Sequence, residues 1–279
     1  MNAIKNREAK SNLLSLYLKN NGVGKVHSKF SKGINVQIND FLIYISCFGR
    51  PLSAFGLNIA KRKLIKLQNL IRVDNLVVNK DNKLIFYGFS EIISINYKEI
   101  KVVDLRLPKV KCSIKEIPNT KIYNYLNNIK FEQLIGIELD EITHENIDLL
   151  LSSNKEDLNI NSKLIKFFSG RGKGLTPSGD DILTGFTLAL RTFDRFSNWI
   201  KVLNEVITKD ITTLISFAYH KALYQGYVSE NFMQLIKLMD EKDVNEVNEI
   251  IKKVQSFGHT SGNDTLYGFL LGLKFLINQ

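Results

Sequence analysis

Cysteine is scarce in this sequence. Only Cys47 and Cys112 occur, far apart and outside any Cys-x-x-Cys or Cys/His cluster, which excludes a disulfide scaffold and a structural zinc site. Long apolar runs are missing too. The longest, around Leu266 to Ile277, is too short to span a bilayer and is interrupted by Lys274. The opening MNAIKNREAKSNLL mixes acid with base and lacks the uninterrupted apolar core of a secretory signal. No low-complexity linker divides the chain. A cytoplasmic globular protein with no membrane span is the expectation, and 279 residues with 44% hydrophobic content can bury one large core or two modest ones.

Acidic residues are also in deficit, and the deficit is local. The net charge is +10, yet residues 1–120 hold 21 lysines and arginines against 8 acids, while the remainder is slightly acidic. One dense basic cluster exists, Lys61-Arg62-Lys63 with Lys66 and Arg72, interleaved with Leu and Ile and lacking the stacking aromatics of a single-strand binder. It reads as a solvated basic face rather than a nucleic-acid surface.

The pattern of what is present changes along the chain. Residues 7–20 read as a helix with Leu13, Leu14, Tyr17 and Leu18 on one face. From Val23, short segments rich in β-branched and aromatic residues (VHSKF, INVQI, FLIYISCF, NLVV, KLIFYGF, IISIN, VVDLRL) alternate with turn clusters such as Asn39-Asp40 and Lys80-Asp81-Asn82. These predict an antiparallel, barrel-like β domain over 1–117. After Pro118 the period moves toward 3.6, predicting helices over 119–130, 144–153, 160–169, 179–195, 198–225 (whole or broken in two), 230–239, 243–256 and 263–277. The expected architecture is α+β by segregation: a β-rich N-terminal domain with an N-terminal helix, then an all-helical domain over 118–279.

The helical region contains the same element twice. GRGKGLTPSGDDILTGFTLAL at 170–190 and FGHTSGNDTLYGFLLGL at 257–273 pair Ser178 with Ser261, Gly179 with Gly262, Asp181 with Asp264, Gly185 with Gly268 and Phe186 with Phe269. Each serine stands where a helix N-cap belongs, and the aspartate three residues on completes a variant capping box. Glycine one turn inside a helix costs about 1 kcal/mol against alanine. Its double occurrence predicts two pseudo-equivalent helices crossing closely at Gly185 and Gly268.

A duplicated helix start leaves the first loop unexplained. Gly170, Gly172 and Gly174 alternate with Arg171 and Lys173 and lead through Thr176 to a helix N-terminus, where free N–H groups and the helix dipole favour an anion. No Gly-Lys-Ser/Thr closes the loop as in a Walker A motif, and Ser178 lacks the Gly-x-Ser-x-Gly setting of a serine nucleophile. Asp180 and Asp181 bring negative charge to the same place. Either Asp181 is used in capping and Asp180 points away, or a divalent cation such as Mg²⁺ bridges carboxylate and ligand oxygens. The second copy places Asn263 where the first has Asp180 and His259 where the first has Thr176, adding a titratable group beside Thr260, Ser261 and Gly262. Both helix starts are expected to face one cleft. His220, on a helix with Thr212, Thr213 and Ser216, reads as a core or surface histidine; Ser229-Glu230 reads as an N-cap with an acidic first turn. His27, His144 and Arg50 read as incidental.

GRGKGLTPSGDDILTG, together with TTLIS, GYVSE and GHTSGNDTLYG, resembles the AllH subunit family. The resemblance implies a subunit of oxamate carbamoyltransferase, a multi-subunit system of anaerobic allantoin breakdown in which oxalurate and phosphate give oxamate and carbamoyl phosphate. Its implied partners are those small anions and the other subunits; the alternative is a non-catalytic structural or regulatory subunit of the same complex. Carried onto this chain, the glycine loop and Arg171 would hold phosphate. Thr176, Ser178 or the second helix start (Thr260, Ser261, Gly262) would polarise the carbamoyl group, His259 would carry the proton, and Asp180 is a further catalytic candidate.

Overall fold

The computed structural model describes residues 7–279; the first six, on which the reading of a missing signal partly rests, lie outside the described residues. The chain divides into two compact units. One comprises the residues up to Arg106 together with Tyr227–Glu230, the other Leu107–Gly226 and Asn231–Gln279.

The first unit is a nine-stranded sheet curled into a half-barrel. Its strands are β1 (Ala9–Ser11), β2 (Gly22–Phe30), β3 (Gly33–Ile38), β4 (Phe41–Cys47), β5 (Gly56–Ile59), β6 (Leu76–Lys80), β7 (Lys83–Tyr87), β8 (Ile92–Asn96) and β9 (Lys101–Val103). They are ordered β8-β7-β6-β2-β3-β4-β5-β1-β9. Period-two alternation turns Ile34, Val36 and Ile38 of β3 inward against Ile43 and Ile45 of β4, with Val77, Leu84 and Phe86 in the same core. Asp81 and Asn82 both take positive φ in the two-residue turn joining β6 to β7, the geometry a tight hairpin requires.

The structure corrects two sequence expectations here and adds a helix where the sequence reading assigned no element. The segment expected to be one helix over 7–20 begins as β1, and only Asn12–Tyr17 form helix α1, capped by the Ser11 hydroxyl. Two strand pairs, β4 with β5 and β1 with β9, are parallel; alternation reports which face a side chain occupies and says nothing of strand direction. The basic cluster is a helix, α2 (Lys61–Leu70), which buries Leu64 and Leu67 and leaves Lys61 and Arg62 in solvent. Lys63 and Lys66 are paired with Glu8 and Glu91.

The second unit is helical: α3 (Lys121–Asn127), α4 (Glu141–Ser152), α5 (Leu158–Phe168), α6 (Ser178–Thr192), α7 (Ser197–Val206), α8 (Leu214–Tyr224), α9 (Glu230–Lys237), α10 (Val244–Gln255) and α11 (Ser261–Ile277). α9 starts at the join between the units. Polar side chains cap several starts, Thr120 for α3, Asp140 for α4, Asp157 for α5, Thr213 for α8 and Asp243 for α10. α6 and α11 bury almost every residue and form the centre of this unit. Among the described residues no helix is long and apolar enough to cross a membrane.

Ser229 stands immediately before α9 and Glu230 is the acid of its first turn. Their side chains accept hydrogen bonds from the backbone N–H of Ala54 and Leu52, tying this short segment into the sheet unit.

Candidate functional site

The glycines of the repeat place the site. A Cβ on Gly185 would lie 2.0 Å from the Thr265 carbonyl oxygen, and one on Gly268 would lie 2.1 Å from that of Ile182. α6 and α11 therefore touch backbone to backbone at the two residues the repeat marked. The next glycines follow the same symmetry. Gly179 is pressed against the Phe168 carbonyl at the end of α5, and Gly262 against the Val254 carbonyl at the end of α10, each at 2.0 Å for an added Cβ. Each copy is thus a helix, a loop and a second helix whose start packs on the end of the first.

The serine and aspartate positions hold a correction. Neither serine is an N-cap: that position belongs to Pro177 and to Thr260, and neither makes a side-chain cap bond. The aspartates do not close capping boxes on their own helices either. Asp181 of α6 lies against the hydroxyls of Ser261 and Thr176, and Asp264 of α11 against those of Thr260 and Ser178. Local spacing fits a box equally well, but the close crossing brings the partner helix's hydroxyl within reach. Thr176 and Ser261 join the two starts directly, hydroxyl to hydroxyl at 2.8 Å.

Burial shapes the electrostatics of this crossing. It pushes the Asp181 carboxyl well above the ordinary carboxylate range, with Asp264 and Asp180 adding to the rise and the Ser261 and Thr176 hydroxyls opposing it. Burial raises Asp264 as well, against the Gly136 N–H and the two hydroxyls. Gly136, which no sequence pattern singles out, donates its N–H to Asp264 Oδ1 at 2.8 Å. A Cβ there would lie 2.4 Å from Ser178 Oγ and 2.7 Å from Thr260 Oγ1, so only glycine lets this loop lie across both helix starts.

Asp180 faces elsewhere. Its Oδ2 accepts from the Gly170 N–H (3.1 Å) and from Thr212 Oγ1 (2.6 Å), and its Oδ1 stands 3.7 Å from His220 Nε2. His220, read from the sequence as a core or surface histidine, is buried there. Thr213 Oγ1 donates to the Leu175 carbonyl at 2.6 Å. Thr213 thereby holds one end of the glycine loop directly and Thr212 the other through Asp180, and the i, i+4 spacing of Thr212, Ser216 and His220 was the signal available for the Asp180 side.

The loop between these grips is exposed, with Gly170, Gly172 and Gly174 at positive φ. Arg171 stacks its guanidinium on the Phe167 ring, 3.9 Å from the centroid. Lys173 and His259 are exposed, while Ser178 and Ser261 are buried. Asp180 and Asp181 have different partners, Asp180 the Gly170 N–H and Thr212, Asp181 the Ser261 and Thr176 hydroxyls. Among the described residues no group of three or more His, Cys, Asp or Glu is arranged to hold a metal. A groove of about 1180 Å³ lies at the opposite ends of α6 and α11, lined by Arg191–Phe196, Lys109, Lys115 and Leu276 among others. It contains none of the motif residues, and helix C-termini disfavour an anion.

Residues 168–273 match the model of a family described as oxamate carbamoyltransferase subunit AllH. The match covers both helix starts, both loops and the Thr212–His220 segment, and leaves Gly136 outside. No solved structure matches the chain.

Proposed function

Taking residues 168–273 as an AllH-type region, we propose that the chain is the AllH-type subunit of an oxamate carbamoyltransferase-like complex in the cytoplasm. On this reading the crossing of α6 and α11 binds its small anionic substrate. The observation that carries the proposal is the meeting of two helix N-termini, joined by the Thr176–Ser261 contact at 2.8 Å beneath an exposed glycine loop. The positive end of a helix dipole and positive-φ glycines in an exposed loop favour an anion.

In the direction that forms carbamoyl phosphate, a phosphate oxygen attacks the carbamoyl carbon of oxalurate. The carbon–nitrogen bond breaks, and the nitrogen takes a proton as it leaves in oxamate. Gly172, Gly174 and the Ser178 N–H would hold the phosphate, the next three N–H groups of α6 being bonded to the Arg171 and Pro177 carbonyls, with Lys173 adding charge from the loop. Thr176 and Thr260 would polarise the carbonyl. His259 is the exposed proton carrier, and Asp181, whose carboxyl burial holds in the protonated form to higher pH, is a second donor. Asp180 belongs to the support of the loop.

Thermal unfolding with phosphate, carbamoyl phosphate, oxamate and oxalurate tests the reading, because a ligand specific to the folded state raises the melting temperature. Phosphate and carbamoyl phosphate are expected to stabilise the chain equally with and without Mg²⁺. No stabilisation by any of the four would remove it. The burial of Ser178, Ser261 and Asp264 favours a second reading, in which the crossing only organises a structural subunit. Under that reading Ser178→Ala and His259→Ala would leave the assembled complex fully active.

A further inference from the structure

The two helix starts share a backbone plan, but the side chains beneath them differ. Asp180 is 1% exposed and His220 3% exposed. Neither ring nitrogen of His220 has a hydrogen-bond partner, and neither does Asp180 Oδ1, although Nε2 and Oδ1 stand only 3.7 Å apart. Buried polar atoms left open are costly, and a shift of under ~1 Å would close a charge-assisted bond between these two. The other oxygen of the same carboxylate holds Gly170 and Thr212, at the root of the glycine loop and in the segment flanking it. In the second copy this position is Asn263, which is neutral and whose Oδ1 accepts from Gln255 Nε2 at 3.1 Å.

We infer that His220 is a positioning residue which, through Asp180, sets the backbone of loop 170–176 for one anion per chain. The second loop (256–260) then contributes hydroxyls and the His259 ring but no second anion site. This rests on the reading that the loop binds an anion.

Isothermal titration of the full chain with inorganic phosphate tests it. One phosphate per chain is expected. His220→Leu should weaken binding about tenfold, the scale of one lost bond to a charged group. His220→Gln, which keeps a donor toward Asp180, should restore it to within about threefold of wild type. Thr212→Val removes the other side-chain donor to the carboxylate and should also weaken binding, which keeps the test open if the leucine variant fails to fold. Asn263→Ala should bind as wild type does. Two phosphates per chain, or undiminished binding by both His220→Leu and Thr212→Val, would overturn the inference while leaving the anion site standing. No phosphate binding by wild type would overturn the anion-site reading and this inference with it.

Discussion

At the scale of single residues, the most unusual is Lys155. It is fully buried, donates to the Ser153 carbonyl and hydroxyl, and lies over the rings of Phe275, Trp199 and Phe186. Burial lowers its pKa to about 8. The folded chain therefore resists charging this amine. The penalty is present in full below pH 8, shrinks between 8 and 10.5 while only the unfolded chain holds the proton, and is gone above. Lys155→Met should be more stable than wild type by about 2 kcal/mol at pH 7, after allowing for the lost ring contacts. Urea denaturation across that range should show the difference fading as pH rises. Asp181 has the opposite sign. Its raised carboxyl costs stability at neutral pH, and the cost vanishes as pH falls to the ordinary range near 3.8. Asp181→Asn should melt higher than wild type at pH 7 and alike near pH 4, as calorimetry can check.

At the scale of elements, the repeat decides the packing. Gly→Ala inside a helix ordinarily stabilises by about 1 kcal/mol. At Gly185 or Gly268 the added carbon would overlap a carbonyl oxygen of the other helix, so the sign should reverse, with a loss of about 3 kcal/mol or more. Equilibrium unfolding of Gly268→Ala measures it. This crossing was legible in the sequence because it depends on glycine identity and spacing, which a chain displays openly. The partners of Asp181 and Asp264 were not legible. A serine three residues before an aspartate satisfies a capping box on paper, and only the crossing makes the other helix's serine the nearer one. Gly136 was hidden for a related reason, since it gains its meaning from contacts distant in sequence; His220 was legible as a core histidine, but its neighbour Asp180 was not. Helix α2 was not legible because its ten residues bury only Leu64 and Leu67, too short a stripe to set a helical period among its lysines and arginine.

At the scale of the whole molecule, the half-barrel sheet and the helical unit follow the shift in apolar period near Pro118, while the two parallel strand pairs could not be read from alternation. The positive charge of the N-terminal unit is partly neutralised in pairs with Glu8, Glu91 and Asp74. No salt-dependent binding of DNA or RNA is therefore expected, and filter binding at low salt would reveal any. The central claim is that the starts of α6 and α11 form one anion site. Its most direct test is a backbone amide NMR titration with carbamoyl phosphate. Amides of Gly172, Gly174 and Ser178 are expected to shift together with those of His259, Thr260 and Ser261, saturating at one equivalent. Shifts confined to the groove around Lys109 and Arg195, or none in either loop, would contradict it.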